Sequence, residues 1–356
     1  MGTSINFALV GCGRVAEKYF QNLWVNPIAR ARLVAVCDID HERAEAAGEM
    51  YNIPWYVDIE SLMESEGPKL DVVVVLTPSG LHADNVLELA PYGKHVVVEK
   101  PMALTLGSAD KMIDACDRHG IRLFVVKQNR WNRPVQRLRQ ALDRGDFGKL
   151  VMGTVRVRWC RDQTYYDQDA WRGTWALDGG VFSNQASHHV DLLEWMLGEP
   201  ESVYATSSTS LVDIETEDTG VAVIKFRNGA LGVVEATTAT RPRNIEGSLS
   251  ILGENGIVEI GGFAVNELKL WEFKDSVPSI REKSLDSESP PDVYGFGHRA
   301  YLEHVVDSLQ NDKPALVDGL EGRKSLELIT AIYESIETGR QIAIRFKSQH
   351  SRLGSG

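Results

Sequence analysis

The sequence predicts two domains: an N-terminal α/β domain with a doubly wound parallel sheet, and a C-terminal α+β domain with a large, mostly antiparallel, open-faced sheet. Short apolar runs alternate with helical patterns up to about residue 127, an order that is typical of a parallel sheet with helices on both faces. Beyond it, segments of alternating apolar and polar residues are separated by turn residues such as Asn228-Gly229, which indicates antiparallel strands. We place the domains at residues 1–127 and 128–350.

In order along the chain, the strands of the first sheet are predicted at residues 5–10, 32–37, 70–76, 96–98 and 122–126, with helical patterns at 16–24 and about 106–119. These strands are short and rich in Val, Ile and Leu, as expected of strands buried on both faces. In the second half, helices are predicted at about 134–144, 184–197, 297–310 and 319–338, and strands at about 150–160, 202–212, 217–227, 230–240, 245–252, 256–260 and 267–273. Because one face of so large a sheet would expose apolar surface, we expect a homo-oligomer, a dimer or a tetramer.

Composition indicates an ordinary globular protein. Of the 356 residues, 43% are hydrophobic and 25% are charged, and the net charge of −12 argues against general affinity for nucleic acid or an anionic membrane. The four cysteines have no paired or CxxC spacing, which favours free thiols in a reducing compartment. No signal peptide or bilayer-spanning run is evident, and no Cys/His cluster has the spacing of metal ligands. We expect a cytoplasmic protein without a metal.

The first strand leads into a glycine-rich turn, Gly-Cys-Gly-Arg-Val-Ala at residues 11–16, and then into a helical pattern. In this G-x-G-x-x-A arrangement Gly11 allows the tight turn, Gly13 lets the backbone approach a pyrophosphate, and Ala16 permits close packing of helix and strand. The N–H groups at the start of the helix are suited to phosphates. The turn therefore predicts a dinucleotide-binding, or Rossmann, domain.

An acidic residue, Asp38, ends the second strand. A carboxylate at this distance from the glycines is suited to the adenosine ribose hydroxyls and would repel a 2′-phosphate. Ile39 and Asp40 provide no arginine for such a phosphate, although Arg43 lies close in sequence. We therefore predict NAD as the cofactor; Asp38 is also suited to capping the helix that starts at His41.

Other polar residues follow strands of the parallel sheet, where open α/β sheets bind their ligands. Lys100 follows Glu99 at the end of the fourth of these strands, and Pro101 restricts its backbone. His82 opens a helix, so a capping role is an equal alternative for it. The cofactor-binding candidates are Gly11, Gly13, Arg14, Val15, Asp38, Thr77, Pro78, His82, Glu99, Lys100 and Gln128.

A second informative stretch is the segment DGGVFSNQASHHVD at residues 178–191. On a helix beginning at residue 184, Asn184 and His188 would be spaced i and i+4 on one face, with Asp191 three residues further. Taken alone, this pattern favours helix caps and a buried core histidine over a functional role.

Together these motifs resemble the Gfo/Idh/MocA family, which includes glucose–fructose oxidoreductase and inositol dehydrogenase. The resemblance rests on Gly11, Gly13 and Ala16, on the Glu-Lys-Pro sequence at residues 99–101, and on residues 179–191. It implies that Lys100 contacts the hydroxyl or carbonyl undergoing redox, that His188 exchanges its proton, and that the peptide before Pro101 is cis. The family usually has Asp where this chain has Asn184. Because an amide cannot act as a base, we assign Asn184 to orienting the substrate or the nicotinamide.

Within the family, residues 127–134, Tyr165-Tyr166 and residues 171–175 resemble the bacterial UDP-N-acetylglucosaminuronate 3-dehydrogenases of lipopolysaccharide biosynthesis. Independently, residues 127–172 contain eleven Lys/Arg and five Asp/Glu, and a nucleotide sugar with a diphosphate and a carboxylate needs cations. The catalytic candidates are Lys100, His188 and Asn184, and the substrate-binding candidates are Lys100, Arg158, Tyr166, Arg172, Asn184, His188 and His298.

The expected function is therefore NAD-dependent oxidation of the C3 hydroxyl of UDP-N-acetyl-glucosaminuronic acid (UDP-GlcNAcA) to the 3-keto sugar. One alternative is a dehydrogenase of a free polyol or simple sugar, which would not need the local excess of cations. The other is a non-catalytic, NAD-responsive regulator, an alternative that Asn184 leaves open.

Overall fold

The structure is a computed structural model that describes residues 4–274, 287 and 292–344. The end of the predicted second domain, at residue 350, lies outside the described residues. Both predicted fold classes are confirmed, because the described chain forms a six-stranded parallel sheet and an eight-stranded, mostly antiparallel sheet.

The first sheet has the strand order β3-β2-β1-β4-β5-β6, which is that of a doubly wound dinucleotide-binding fold. The four valines of β4 are fully buried, since helices cover both faces of this sheet. The strands are β1 Ile5–Val10, β2 Ala31–Cys37, β3 Trp55–Tyr56, β4 Val72–Val75, β5 His95–Val98 and β6 Leu123–Val125. The helices are α1 Ala16–Phe20, which continues as a π-helical segment Gln21–Val25, α2 His41–Tyr51, α3 Ile59–Glu66, α4 His82–Leu89 and α5 Leu106–Arg118.

The second sheet has the order β13-β12-β11-β7-β10-β9-β8-β14, and only the pair β7–β10 is parallel among its described pairings. Its strands are β7 Leu150–Arg158, β8 Pro200–Ser208, β9 Thr219–Phe226, β10 Leu231–Thr237, β11 Glu246–Gly253, β12 Gly256–Gly261, β13 Glu267–Phe273 and β14 Ile342–Ala343. The helices of this half are α6 Arg133–Asp143, α7 Gln163–Tyr166, α8 Ser187–Leu197, α9 Gly297–Gln310 and α10 Gly319–Thr338.

One face of the second sheet is covered by α8 and α10, and in the described part of the chain the other face is open. In β9, Ala222 and Ile224 point into the core while Val221 and Val223 are exposed, as the two-residue period requires. Neighbouring strands add further exposed apolar side chains to the open face, among them Tyr204 and Leu231. The uncovered face expected from the sequence is therefore present.

Helix α9 packs against the first sheet although it follows the second sheet in sequence. Tyr301, Leu302 and Val305 of α9 share a buried cluster with Phe7 and Leu9 of β1. The N-terminal core is therefore completed by a helix from beyond residue 128, and this packing fixes the two halves against each other.

The predicted helix at 184–197 is shorter in the structure and begins at Ser187. Residues 181–186 form irregular turns, in which Asn184 N–H donates to Gly180 O and Ala186 N–H donates to Val181 O. Asn184 and His188 are therefore not an i, i+4 pair on one helix. The reason is that Gly179 has a positive φ of 80° and starts a tight turn that delays the helix.

Candidate active site

A cleft of about 1500 Å³ lies at the carboxyl ends of β1, β2, β4 and β5. The second domain contributes its opposite wall, through residues 165–177 and Asn184. Most of the sequence-predicted site residues line this cleft: Gly11, Gly13, Arg14, Val15, Asp38, Thr77, Pro78, His82, Glu99, Lys100, Arg172 and Asn184.

The glycine turn has room for a phosphate group. Gly11 has a φ of 103°, and a Cβ there would lie 2.8 Å from the carbonyl carbon of Leu76, so only glycine fits. A Cβ at Gly13 would meet no protein atom within 4 Å, which means that the space beside its backbone is open. The residues present therefore fit a dinucleotide, with the pyrophosphate placed against the turn.

Asp38 is oriented by the glycine turn itself. One carboxylate oxygen accepts the N–H of Cys12 at 2.7 Å, and the other accepts the N–H of Asp40 at 2.9 Å. The alternative role, capping α2, belongs to Asp40, whose side chain accepts N–H groups from Glu42 and Arg43. Asp38 thus has a fixed carboxylate in the cleft, in the position that suits a ribose diol.

His82 connects the ends of two neighbouring strands. Its ring nitrogens lie 2.8 Å from the main-chain oxygens of Thr77, after β4, and Pro101, after β5. Burial lowers the pKa of His82 although both hydrogen bonds oppose this effect. Its position therefore connects the backbone after Lys100 to the end of β4, in addition to lining the cleft.

Lys100 follows β5, and the peptide between Lys100 and Pro101 is cis, as the family resemblance implied. Its ammonium donates to the main-chain oxygen of Asn184 at 2.9 Å and to the side-chain oxygen at 3.1 Å. Burial lowers the pKa of Lys100 to about 8, while the carboxylates of Glu99 and Asp178 act in the opposite direction. An ammonium has three donors, so one is left for a substrate oxygen.

His188 is 6% exposed, and neither ring nitrogen has a hydrogen-bond partner among the described residues. Burial lowers the pKa of His188 well below its ordinary value, and among the neighbouring charges Lys100 contributes most to this shift. The imidazole is therefore neutral at neutral pH and lies within the electrostatic influence of the ammonium. Its side chain is not among those that line the cleft.

Glu99 is the centre of a buried hydrogen-bond network. Tyr19 donates to Glu99 at 2.9 Å, the His298 Nε2 lies 3.3 Å from the same oxygen, and the Lys100 N–H donates to the other oxygen at 3.0 Å. Burial alone would raise the pKa of Glu99, but the bond to His298 and the nearby positive charges outweigh it and lower the pKa. Glu99 is thus an anion that stabilises the Lys100 ammonium.

A buried ion-pair cluster supports the helix that carries His188. Arg130 binds both oxygens of Asp191 at 2.8 and 2.9 Å, and it reaches Glu321 at 2.9 Å. Lys127 lies 3.6 Å from Asp191 and donates to Ser325 at 2.6 Å. These contacts fix α8 between the end of the first sheet and α10.

The remaining predicted residues lie in different places. Arg172 lines the cleft and pairs with Asp169 at 3.0 Å, whereas Tyr166 is buried with its hydroxyl 3.2 Å from that of Thr238. Gln128 is 1% exposed and is not among the residues that line the cleft. Arg158 differs most from the expectation. It lies on the open face of the second sheet, because Val157 beside it occupies the core, and it pairs there with Glu235 and Glu246.

Tyr165 and Asp169, which line the cleft, and Arg161, which stacks on Tyr165, were not among the sequence-predicted residues. Tyr165 stacks with Arg161 and Arg172, and Asp169 lies 3.7 Å from Arg43 across the cleft. In the described part of the chain Arg161 has no carboxylate partner, and its Nε is buried without a hydrogen bond. The only sequence signal was the density of aromatic and charged residues in the loop after β7.

A glycine turn, an oriented acidic residue and a lysine, all at the carboxyl ends of parallel strands, are the features of a dinucleotide-dependent oxidoreductase. Two family models match the chain: the oxidoreductase family's NAD-binding Rossmann fold at residues 5–127, and its C-terminal alpha/beta domain at residues 139–344. The chain belongs to the Gfo/Idh/MocA oxidoreductase family, which confirms the resemblance seen in the sequence.

Two solved structures are similar over nearly the whole chain. They are the WlbA dehydrogenases of Chromobacterium violaceum (TM-score 0.90, covering 97% of each chain) and Bordetella pertussis (TM-score 0.91, covering 97% of this chain and 99% of that one). Each is 43% identical to this chain and was crystallised with NADH and UDP-GlcNAcA. A curated relative, the myo-inositol 2-dehydrogenase of Thermotoga maritima, is 28% identical over 96% of this chain and 98% of its own length.

These findings make the chain an NAD-dependent dehydrogenase of the sugar and polyol type, and they confirm the predicted cofactor. No helix among the described residues has both the length and the apolarity needed to cross a membrane.

Proposed function

We propose that this enzyme oxidises the C3 hydroxyl of UDP-GlcNAcA to the 3-keto sugar, in the cytoplasmic synthesis of lipopolysaccharide O-antigen sugars. The observation that carries the proposal is the likeness, at 43% identity over 97% of the chain, to two dehydrogenases crystallised with that nucleotide sugar. The inositol dehydrogenase is less similar, at 28% identity. The identity difference favours the nucleotide sugar over a free polyol.

The bound NAD⁺ would accept the hydride from C3. As the C–H bond breaks, the C3 hydroxyl must lose its proton so that the C=O bond can form. Neutral His188 takes that proton, and the Lys100 ammonium stabilises the negative charge that develops on the oxygen. Asn184 contributes by holding Lys100 through two of its three donors, so the third is directed at the reacting oxygen.

Arg161 is our candidate for the anionic part of the substrate. Its guanidinium stacks on Trp159 and Tyr165, with the carbon atom 5.4 and 5.0 Å from the two ring centres. It also contributes to the electrostatic field at Lys100. Most other arginines of residues 127–172 are already paired with carboxylates, as Arg130 and Arg158 are. An unneutralised arginine near the reacting group is suited to a carboxylate or a phosphate.

We also propose that the open sheet face joins copies of the chain into a dimer or tetramer. Tyr204, Val221, Val223 and Leu231 are each 41–49% exposed on this face. A contiguous apolar surface of this kind is typical of an interface. Light scattering of Val223→Glu, which places a charge at its centre, should show smaller particles than the wild type. Equal particle masses would contradict this assignment.

The substrate proposal is tested by offering the purified enzyme NAD⁺ with UDP-GlcNAcA, myo-inositol or glucose. We expect NADH to form with the nucleotide sugar, and mass spectrometry to show a product two hydrogens lighter than the substrate. The sample for mass spectrometry, but not the one in which NADH is followed, also contains an oxo-acid or keto-sugar as acceptor, so that the reaction does not stall on accumulated NADH. Turnover of inositol with none of UDP-GlcNAcA would refute the proposal in favour of a polyol dehydrogenase. Binding of NADH without turnover of any sugar would favour a regulator.

A further inference from the structure

The side chain of Asn184 has a second neighbour behind it, the buried carboxylate of Asp178. Asp178 is 1% exposed. One of its oxygens accepts the N–H of Gly173 at 2.7 Å, and the other accepts the amide N–H of Asn184. The hydrogen bonds therefore run in one line from Asp178 through Asn184 to the ammonium of Lys100.

The chemistry of the three groups permits only one orientation of the amide. A carboxylate only accepts, an ammonium only donates, and an amide does one at each end. With its NH₂ group towards Asp178, Asn184 presents its oxygen to Lys100. Rotation of the amide by half a turn would place two donors together at Lys100 and two acceptors together at Asp178, and each such contact between buried groups is unfavourable.

We propose that Asp178 is a positioning residue of the dehydrogenase, which orients the amide of Asn184 and, through it, adds to the negative charge of Glu99 that stabilises the Lys100 ammonium. This proposal rests on the proposed role of Lys100 in the reaction. It also gives a reason for an amide at position 184. The carboxylate that Asn184 lacks is provided by Asp178, on the far side of the amide from Lys100.

Two other features favour this role over a purely structural one. Asp178 acts on Lys100 in the direction that favours the ammonium, against the burial that lowers the pKa of Lys100 to about 8. Burial raises the pKa of Asp178 itself, against the bonds from Gly173 and Asn184 and the charge of Lys100. The two groups therefore favour each other's charged forms across the amide.

Other charged and titratable groups also face this line. Those that face Lys100 are Glu99, Lys127, Arg161, His82, His188 and His189. Those that face Asp178 are Arg172, Tyr166 and Glu217. All of these groups are retained in the variants below. A change in the pKa of Lys100 therefore reports on the hydrogen bonds that run from Asp178 through Asn184.

The geometry provides an exchange variant that keeps every hydrogen bond. In Asp178→Asn, the new amide oxygen accepts from Gly173, but its NH₂ group meets the NH₂ group of Asn184. In the double variant Asp178→Asn/Asn184→Asp, that NH₂ group instead donates to the new carboxylate, which accepts from Lys100 directly. The single variant loses the line, and the double variant restores it with the charge one residue closer to Lys100.

The test measures the pKa of Lys100 without any sugar. The intact enzyme is labelled with trace acetic anhydride across a pH series, and mass spectrometry follows the peptide that contains Lys100. The pH at which Lys100 is labelled half-maximally is the midpoint. We expect the midpoint for Asp178→Asn to lie below that of the wild type, because removal of a carboxylate disfavours the ammonium. The double variant should return to the wild-type midpoint or lie above it. Asp218→Asn is the matched control, since Asp218 is fully buried and binds the N–H groups of Ser210 and Leu211.

With a sugar that the enzyme oxidises, Asp178→Asn should lose roughly 10- to 100-fold in kcat at unchanged affinity for NADH, as expected for a misdirected reacting group. The double variant should recover most of this loss. A wild-type midpoint in Asp178→Asn would overturn the inference whether or not any sugar reacts. If that variant does not fold, a folded double variant with a midpoint well below the wild type would overturn it equally. A shifted midpoint without turnover of UDP-GlcNAcA would leave the inference standing and refute only the proposed substrate.

Discussion

The ammonium of Lys100 lies 2.9 Å from the main-chain oxygen of Asn184, and this contact joins the two domains at the cleft. Lys100 belongs to the end of β5, whereas Asn184 belongs to the turn before α8 in the second domain. The proposed reacting group is therefore held by one domain and aimed by the other. Its direction depends on the packing between the domains, to which α9 and the Lys127–Asp191 ion pair both contribute.

Removal of either proposed reacting side chain should stop turnover without preventing cofactor binding. We expect Lys100→Ala and His188→Ala each to lower kcat by a factor of about 10² or more, because each removes charge stabilisation or proton transfer in the transition state. Initial rates of NADH formation measure the loss, and fluorescence titration with NADH measures the affinity. Because the two groups act on one oxygen in the proposed mechanism, the double variant should lose much less than the product of the two factors. A single variant with wild-type kcat would contradict its assigned role.

The pH dependence of the reaction should follow from the pKa values of His188 and Lys100. His188 must be neutral to accept a proton, and its pKa is lowered well below its ordinary value, so activity should persist below pH 6.5. Lys100 must be charged, and its pKa is lowered to about 8, so kcat/KM should fall as the pH rises through that value. Initial rates measured from below pH 6.5 to above pH 8, in buffers of constant ionic strength, test both expectations. A rate that still increases above pH 8 would instead make neutral Lys100 the base.

Local patterns were sufficient to predict most of the fold from the sequence. Strand β1 was predicted with its observed ends, and the helices at 297–310 and 319–338 have the predicted bounds, because strong periodicity and clear turn residues surround them. The two-residue strands β3 and β14 were missed, since so short a segment carries no periodicity of its own. The packing of α9 on the first sheet was not predictable either, because no local pattern encodes which sheet a helix covers.

The candidate site was predictable where its residues follow strands, and less so where they lie in irregular loops. Gly11, Asp38 and Lys100 were found because position at a strand end already assigns them to the cleft. Asp178 and Arg161 were missed, since their roles depend on turns whose path only the coordinates give. Arg158 was chosen for its charge, and the alternation along β7 places it on the opposite face.

Cofactor preference should depend on the charge of Asp38. Asp38→Asn keeps an acceptor for the N–H of Cys12, loses the acceptor for the N–H of Asp40 and removes the charge, so NAD should bind roughly tenfold or more weakly, as expected for a lost charged hydrogen bond. NADP should bind better than in the wild type, since repulsion of its phosphate is removed and Arg43 is nearby. Titration with both cofactors gives the ratio of the two Kd values. An unchanged ratio would remove Asp38 from ribose recognition.

Arg161 should affect the nucleotide sugar but not the dinucleotide. We expect Arg161→Met to raise KM for UDP-GlcNAcA about tenfold or more, because a hydrogen-bonded charge pair with an anion is lost. Arg144→Met is the matched control, as Arg144 pairs with Asp146 on the surface. Steady-state kinetics at saturating NAD⁺ separate KM from kcat. Equal KM values in the two variants would mean that another group binds the anionic part of the substrate.

Stability should depend on Asp191 more than on any surface ion pair of comparable geometry. Asp191 is 2% exposed and pairs with Arg130 and Lys127, so Asp191→Asn leaves buried cations without a counter-charge and should cost about 3–5 kcal/mol. Urea unfolding measures the difference, and Asp143→Asn, which breaks the exposed pair with Arg139, should cost less than about 1 kcal/mol.

Burial alone would raise the pKa of Asp191, but Arg130 and Lys127 outweigh it and lower the pKa. The contribution of Asp191 is therefore complete above the carboxyl's unfolded pKa of about 4 and is lost as the pH falls through the lower folded value. If the wild type and Asp191→Asn differed by the same amount below that range as at pH 7, the cost would come from packing and not from the charge.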